Sequence, residues 1–241
     1  MFSPQEIARV LFLDIETVRA TQHYEELPES LRAMWEHKCK NIQLENKPEA
    51  SPEEKYYERA GIFAEFGRVV CISFGFVFWQ GFKPYLKIKS LYGEDEKQIL
   101  AQFKNLLDDD KMRRWLLCAH NGKEFDFPYL CRRYLINQIP LPKILTVQGK
   151  KPWEVPFLDT MELWKFGDYK GYTKLELLCA VFGIPSPKGD IDGSQVGQVY
   201  WEEKDIQRIA KYCAKDVEAT VQVFMKFSTQ PMIEPFHVQS N

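Results

Sequence analysis

Val10-Leu11-Phe12-Leu13-Asp14-Ile15-Glu16-Thr17 is an apolar run broken by one acid and then, two residues on, by a second. Continuous apolar character over 10–15 reads as a strand buried on both faces, the kind that lies at the centre of a sheet covered by helices. Residues i and i+2 of a strand point to the same face, so Asp14 and Glu16 project side by side from its end. Two like charges in a poorly solvated setting repel, and one stays protonated unless a cation intervenes. A hard divalent ion, Mg²⁺ or Mn²⁺, prefers carboxylate and water oxygens and removes the conflict. The alternative is an ordinary strand-end D-x-E facing water; the apolar VLFL leading into it is what favours the buried pair.

Outward from this strand the pattern alternates. VVCISFGFVFW (69–79) reads as a second strand and YLKIKSL (85–91) as a third. Asp95 to Leu107 is an amphipathic helix with Ile99, Leu100, Phe103, Leu106 and Leu107 on one side. Trp115 to Ala119 is another buried strand, followed by a helix from Asp126 to about Asn137 with Pro128 in its first turn. Phe157-Leu158 is a short strand, with Asp159 starting the next helix. Thr173-Lys174-Leu175-Glu176 is a T-x-x-E capping box whose helix stops at Gly183. A long final helix, broken once, spans 203–226. This order predicts an α/β fold with a mixed central sheet flanked by helices. Residues 19–60 are polar, with Pro28, Pro48 and Pro52, and hold two short helices, ESLRAMWEHKC and PEEKYYERAG. They read as an insertion after the first strand of one domain spanning 1–241.

Composition narrows the class. The chain has 241 residues and a net charge of -2, which argues against a passive nucleic-acid coat. Glutamates make the early segment acidic, while Lys111, Arg113, Arg114, Arg132, Arg133, Lys143, Lys150, Lys151, Lys165, Lys170 and Lys174 make the middle basic. That half offers a positive face to phosphate, or simply solvated helix faces. No apolar stretch reaches the ~18 residues of a membrane helix, and no basic segment precedes the first apolar run as in a secretory signal. The six cysteines form no C-x-x-C pair and cluster with no histidine, so reduced buried thiols in a cytoplasmic protein are expected and a zinc site is not.

Two more segments bring acids to the ends of elements. Asp126, in HNGKEFDFPYL, sits where a strand turns into a helix; it either caps that helix or aims across the sheet edge, where α/β folds bind ligands. Tyr212 and Asp216, in YCAKD, are i and i+4 on one helix face, so a phenol that can hold an attacking water stands one turn from a carboxylate that can hold a metal. Each signal alone is weak. Together, four carboxylates suffice to position a pair of divalent ions for an in-line phosphoryl displacement. No Ser-His-Asp, Cys-His, P-loop or G-x-G-x-x-G pattern competes.

With these residues in place the chain resembles the DEDD exonuclease superfamily, whose members have the ribonuclease H-like fold. LDIET resembles the first motif, HNGKEFDFPYL the second, with Asn121 and Phe125-Asp126 at their usual spacing, and YCAKD the third in its tyrosine form, since Lys211 stands where the histidine form needs His. The pattern, which extends from Val10 to Phe227, is most similar to the 3′-to-5′ exonucleases related to the proofreading domain of family-B DNA polymerases. The resemblance implies that Asp14 bridges two metals, Glu16 and Asp216 complete the tighter site, Asp126 holds the second through water, and Tyr212 orients the attacking hydroxide. It implies single-stranded or frayed DNA 3′ ends as substrate and a nucleoside monophosphate as product. Ribonuclease D-like action on RNA and an inert nucleic-acid-binding scaffold are the alternatives. No polymerase-like segment follows the third motif, so a free-standing enzyme or a subunit is expected.

Further candidates for substrate contact are Asn121, Phe127, Lys174 and Lys188. Phe127 and Tyr129 either stack on terminal bases or pack in the core. WKFGDYKGYTK (164–174) interleaves aromatics and lysines as single-strand binders do, and equally as a helix end and loop do. Lys188 and the Asp192-Gly193-Ser194 turn are candidates for the rim of the site. His120 is expected to be a satisfied strand-end histidine rather than a base.

Overall fold

The computed structural model describes residues 2–45, 47–168, 170–187 and 189–240. A one-turn helix α1 (Pro4–Ile7), capped by Ser3, leads into strand β1 (Val10–Arg19). After β1 come α2 (Glu29–Lys38) and α3 (Pro52–Arg59), then β2 (Gly67–Gln80) and β3 (Lys83–Tyr92). Helix α4 (Glu96–Leu107), β4 (Leu116–Ala119), α5 (Asp126–Ile136), β5 (Leu158–Asp159) and α6 (Thr160–Lys165) follow. The chain ends with α7 (Leu175–Phe182), α8 (Val196–Gln198), α9 (Ile206–Phe227) and β6 (Val238–Ser240).

The strands form one mixed sheet in the order β5-β4-β1-β2-β3-β6. β1, β2 and β3 are an antiparallel meander, while β4 and β5 run parallel to β1. This is the α/β architecture expected of a ribonuclease H-like chain. The central position of β1 explains its apolar run, because helices cover both of its faces. Leu11, Leu13 and Ile15 pack with Leu100 and Phe103 of α4 and Leu130 and Tyr134 of α5. Val10 and Phe12 pack with Val217, Val221 and Phe224 of α9. The period of two then carries Asp14 and Glu16 onto the α9 face.

The segment between β1 and β2 carries a hydrophobic cluster of its own. Trp35 and Tyr56 are fully buried beside Tyr24, Leu27, Cys39 and Phe66. The Trp35 indole N–H donates to the Pro52 carbonyl at 2.7 Å, and the Tyr56 hydroxyl accepts from the Thr21 N–H at 3.1 Å. Six cysteines are free thiols, as the sequence led us to expect. Among the described residues no helix is long and apolar enough to cross a membrane.

Two boundaries differ from the sequence reading. The T-x-x-E box does not cap α7; Lys174 is the N-cap residue and makes no side-chain cap bond. The Thr173 carbonyl instead accepts from His120 Nε2 at 2.9 Å, so tertiary contact fixes this corner. The break in the last helix falls at Lys204, in left-handed conformation (φ 56) after a π-helical turn Val199–Glu203. Asp205 then caps α9 by accepting from the Arg208 N–H at 3.0 Å.

Helix α5 is tied down by a buried ion pair. The Glu96 carboxylate accepts from Arg133 Nε at 2.8 Å and Nη2 at 2.6 Å, from the Val69 N–H at 2.7 Å and from Asn137 Nδ2 at 2.9 Å. Arg133 Nη1 also donates to the Ala64 carbonyl at 2.7 Å, and the Tyr129 hydroxyl donates to that of Gly61 at 2.8 Å. Gly67 is constrained by the same junction, since a Cβ there would sit 2.3 Å from the Tyr129 hydroxyl. Arg133→Met leaves a buried carboxylate without its counter-charge and is expected to cost about 3–5 kcal/mol. Urea unfolding reads this as a lower midpoint; an unchanged midpoint would show that the pair carries no stability.

Candidate active site

The acids of β1 lie in the middle of the strand rather than at its end, because pairing with β2 continues past them to Arg19. A β-bulge between Glu16 and Thr17 shifts the register against β2, so Glu16 faces Cys71 and Thr17 faces Val69. The extra residue, Val70, belongs to β2, the bulged strand of the pair. On the opposing helix α9, Tyr212, Cys213 and Asp216 take the place that Val217 and Val221 hold farther down. The Cys213 thiol donates to Asp14 Oδ2 at 3.2 Å and lies 3.4 Å from the Asp14 carbonyl. Ligand atoms of Asp14, Glu16 and Cys213 all lie within 4.8 Å of one another.

Asp126 arrives from the other side of the sheet. β1 and β4 pair in parallel from Val10 to Phe12, and beyond that pairing Asp126 Oδ1 accepts the Ile15 N–H at 3.1 Å. Its carboxylate therefore does not cap its own helix, whose N-cap residue is Phe125. The acid thus occupies the opening between two parallel strands, the kind of position where α/β sheets bind ligands.

The electrostatics treat these acids as one group. Burial, then Glu16, Asp216 and Asp126, hold Asp14 well above the usual carboxylate range, and the Cys213 thiol opposes the shift. Burial, then Asp216, Cys71 and Asp126, raise Glu16 likewise. Burial lifts Asp126 to about 7, against the pull of backbone N–H groups. Asp216 is lifted by burial to about 6, with the Tyr212 hydroxyl opposing and Glu176 adding to the rise. The Tyr212 phenol is pushed up by burial and then by Asp216, Glu16 and Asp14, so it stays protonated at neutral pH. Glu16 and Asp126 form a buried floor, while Asp14, Tyr212 and Asp216 are half-exposed.

This arrangement fits a hard divalent cation. Among the described residues no lysine or arginine forms an ion pair with any of the four acids. Glu16 is 8% exposed and its carboxylate accepts no hydrogen bond from a described residue, so it is open to a cation. Asp14, Glu16, Asp126 and Asp216 are the oxygen donors available to such an ion.

The remaining candidates divide. Asn121 is at φ 61, and its N–H donates to Asp159 Oδ1 at 2.9 Å. Its side-chain Oδ1 is buried without a partner. Asp159, read from sequence only as a helix start, also accepts from the Lys123 N–H at 3.0 Å and the Met161 N–H at 2.9 Å, so it fixes the turn leading to Asp126. Phe127 is corrected: it is 1% exposed, with its ring 4.3 Å from that of Phe157, and it packs the core rather than offering a face to a base. Tyr129 is likewise core. Lys174 is exposed at the start of α7 and forms no ion pair with the four acids, although Glu176 on the same helix acts on Asp216. Lys188 lies outside the described residues.

His120 is satisfied as expected, by Thr160 Oγ1 at 2.8 Å and the Thr173 carbonyl. In the 164–174 stretch Trp164 stacks on Phe227 in the core, whereas Phe166 and Tyr172 are 90% and 63% exposed. Cys213 went unread as a site residue. Its signal was the place beside Tyr212 and three residues before Asp216, a spacing that shares a helix face.

Proton linkage gives a test of the cluster. Unfolded carboxylates titrate near about 4, below the folded values of Asp216 and Asp126. Between these values the native state holds protons that the unfolded chain has lost, so the cluster's contribution to stability falls as pH rises. Metal-free protein is expected to melt at a lower temperature at about pH 8 than at about pH 5, and Mn²⁺ is expected to restore the loss at the higher pH. Asp14→Asn is expected to melt above wild type without metal at the higher pH and to gain little from Mn²⁺. A melting temperature indifferent to both pH and metal would contradict this assignment.

Comparison with known proteins adds the family. The family model described as "Predicted 3'-5' exonuclease related to the exonuclease domain of PolB" matches residues 62–234. That span holds Asp126, Tyr212 and Asp216 and begins after Asp14 and Glu16, which the fold brings into the same cluster. Among solved structures the chain is similar to the family B DNA polymerase from the hyperthermophilic archaeon Pyrobaculum calidifontis, at 16% identity and a TM-score of 0.49, over 90% of this chain and 24% of the polymerase. The chain therefore spans about a quarter of that polymerase's length. The family match covers well over half of the 241 residues, and the protein belongs to the predicted 3′-5′ exonucleases related to the exonuclease domain of PolB.

Proposed function

We propose that the protein is a metal-dependent 3′-to-5′ exonuclease that removes terminal nucleotides from single-stranded or frayed DNA. The observation that carries this reading is the convergence of four carboxylates, each raised by burial, and a tyrosine, from β1, α5 and α9, with no basic side chain among the described residues paired with them. Asp14, Glu16 and Asp216 would hold one divalent ion and Asp126, with Asp14, a second. When bound, such ions activate water and stabilise both the entering and leaving oxygens of an in-line displacement.

The chain's own residues supply position and exclusion. Tyr212, kept protonated by its acidic neighbours, cannot act as a base near neutral pH; it suits the role of a hydrogen-bonding partner that orients the attacking water. The water's oxygen bonds to the terminal phosphorus as the bond to the preceding 3′ oxygen breaks, giving a nucleoside monophosphate and a strand one residue shorter. The unpartnered Asn121 Oδ1 offers an acceptor beside this centre. Exposed Phe166 and Tyr172, with Lys174, offer stacking and phosphate contacts to an incoming single strand.

A 5′-labelled single-stranded DNA oligonucleotide, incubated with Mn²⁺ or with EDTA, tests this directly. A metal-dependent ladder shortening from the 3′ end is expected. Asp14→Ala is expected to lose at least about a hundredfold in rate, as when a preorganised electrostatic contact is removed. Tyr212→Phe should lose less, because the carboxylates remain. Equal losses would overturn the roles given to the two residues. Degradation of a matched RNA and not of DNA would move the substrate to RNA, and absence of any product with either would remove the enzymatic reading.

A further inference from the structure

We propose that Cys213 makes the carboxylate cluster a mixed oxygen–sulfur site that captures thiophilic divalent cations, Zn²⁺ or Cd²⁺, through Asp14, Glu16 and the Cys213 sulfur, and that such capture blocks the hard-metal reaction. The inference rests on the metal-site reading above and adds a selectivity that carboxylates alone do not have.

Four observations support it. Cys213 Sγ lies 3.2 Å from Asp14 Oδ2, the group expected to serve both hard ions, so the thiol sits within the donor set rather than behind it. The ligand atoms of Asp14, Glu16 and Cys213 are mutually within 4.8 Å, a spacing suited to a small ion with bonds of roughly 2.0–2.3 Å. Glu16 as a residue is 8% exposed, and its carboxylate, without a hydrogen bond from a described residue, converges on the same space. Cys213 is itself fully buried on α9 against β1, which holds the sulfur in place.

The two classes of ion use this arrangement differently. Hard Mg²⁺ or Mn²⁺ has little affinity for sulfur, and the thiol then remains a hydrogen-bond donor to Asp14. A thiophilic ion displaces the thiol proton to solvent as the S–H bond breaks and the metal–sulfur bond forms. Occupying Asp14 and Glu16 in this way withdraws both carboxylates from the hard-metal site. Cys71 provides an internal control. It pairs across from Glu16 and its thiol neighbours that of Cys213, yet it lies outside the group whose ligand atoms converge.

Titration of metal-free protein with Cd²⁺, in the absence of nucleic acid, tests the proposal through the ultraviolet charge-transfer band of a cadmium–thiolate bond. Wild type is expected to develop the band with one equivalent, Cys71→Ser to keep it, and Cys213→Ser and Cys213→Ala to lose it. Each Cys213 variant is checked for native circular dichroism. Loss of the sulfur should weaken Cd²⁺ binding by at least the roughly 10–100-fold that removal of an outer-shell partner costs, and so lower selectivity for Cd²⁺ over Mn²⁺. A band that survives in folded Cys213 variants, or no band in wild type that binds Mn²⁺, would overturn this inference alone. Failure of wild type to bind either ion would overturn the metal-site reading itself.

Discussion

Repulsion among buried carboxylates is the constraint around which this molecule is arranged. Burial raises the proton affinity of Asp14, Glu16, Asp126 and Asp216, and neighbouring acids raise it further. A folded protein tolerates such a cluster only by keeping protons on it or by bringing a cation to it. No basic side chain answers the need among the described residues. The cost is therefore stored in the fold and becomes useful when a hard cation binds.

The rest of the structure delivers and braces these groups. The same alternation that sends Val10 and Phe12 into the α9 interface sends Asp14 and Glu16 into it as well, before Val18 continues the contact. Asp126 is fixed through the Ile15 N–H, while the helix that carries it is bolted by the Glu96–Arg133 pair. Asp159 holds the turn before it. Stability thus flows toward the site from polar contacts distant from the acids, which themselves have no basic partner among the described residues.

Much of this was legible in the chain. The VLFL run fixed β1 as central, because only a strand covered on both faces tolerates four consecutive large apolar residues. Helical spacing placed Tyr212 and Asp216 on one face. What escaped depended on contacts remote in sequence. The Thr173 box gave way to a bond from His120, 53 residues earlier. Phe127 beside the second motif looked available to a base, yet its partner Phe157 could not be read from local pattern. Cys213 reads locally as an inert core thiol, and only the approach of β1, 199 residues away, puts its sulfur against Asp14.

The central claim is that this cluster exists to hold divalent cations. Anomalous diffraction from crystals of the protein grown with Mn²⁺ tests it most directly. The account predicts anomalous density among the carboxylates of Asp14, Glu16, Asp126 and Asp216. Density elsewhere, with the four acids in the arrangement described and empty at a Mn²⁺ concentration that supports binding in solution, would contradict it.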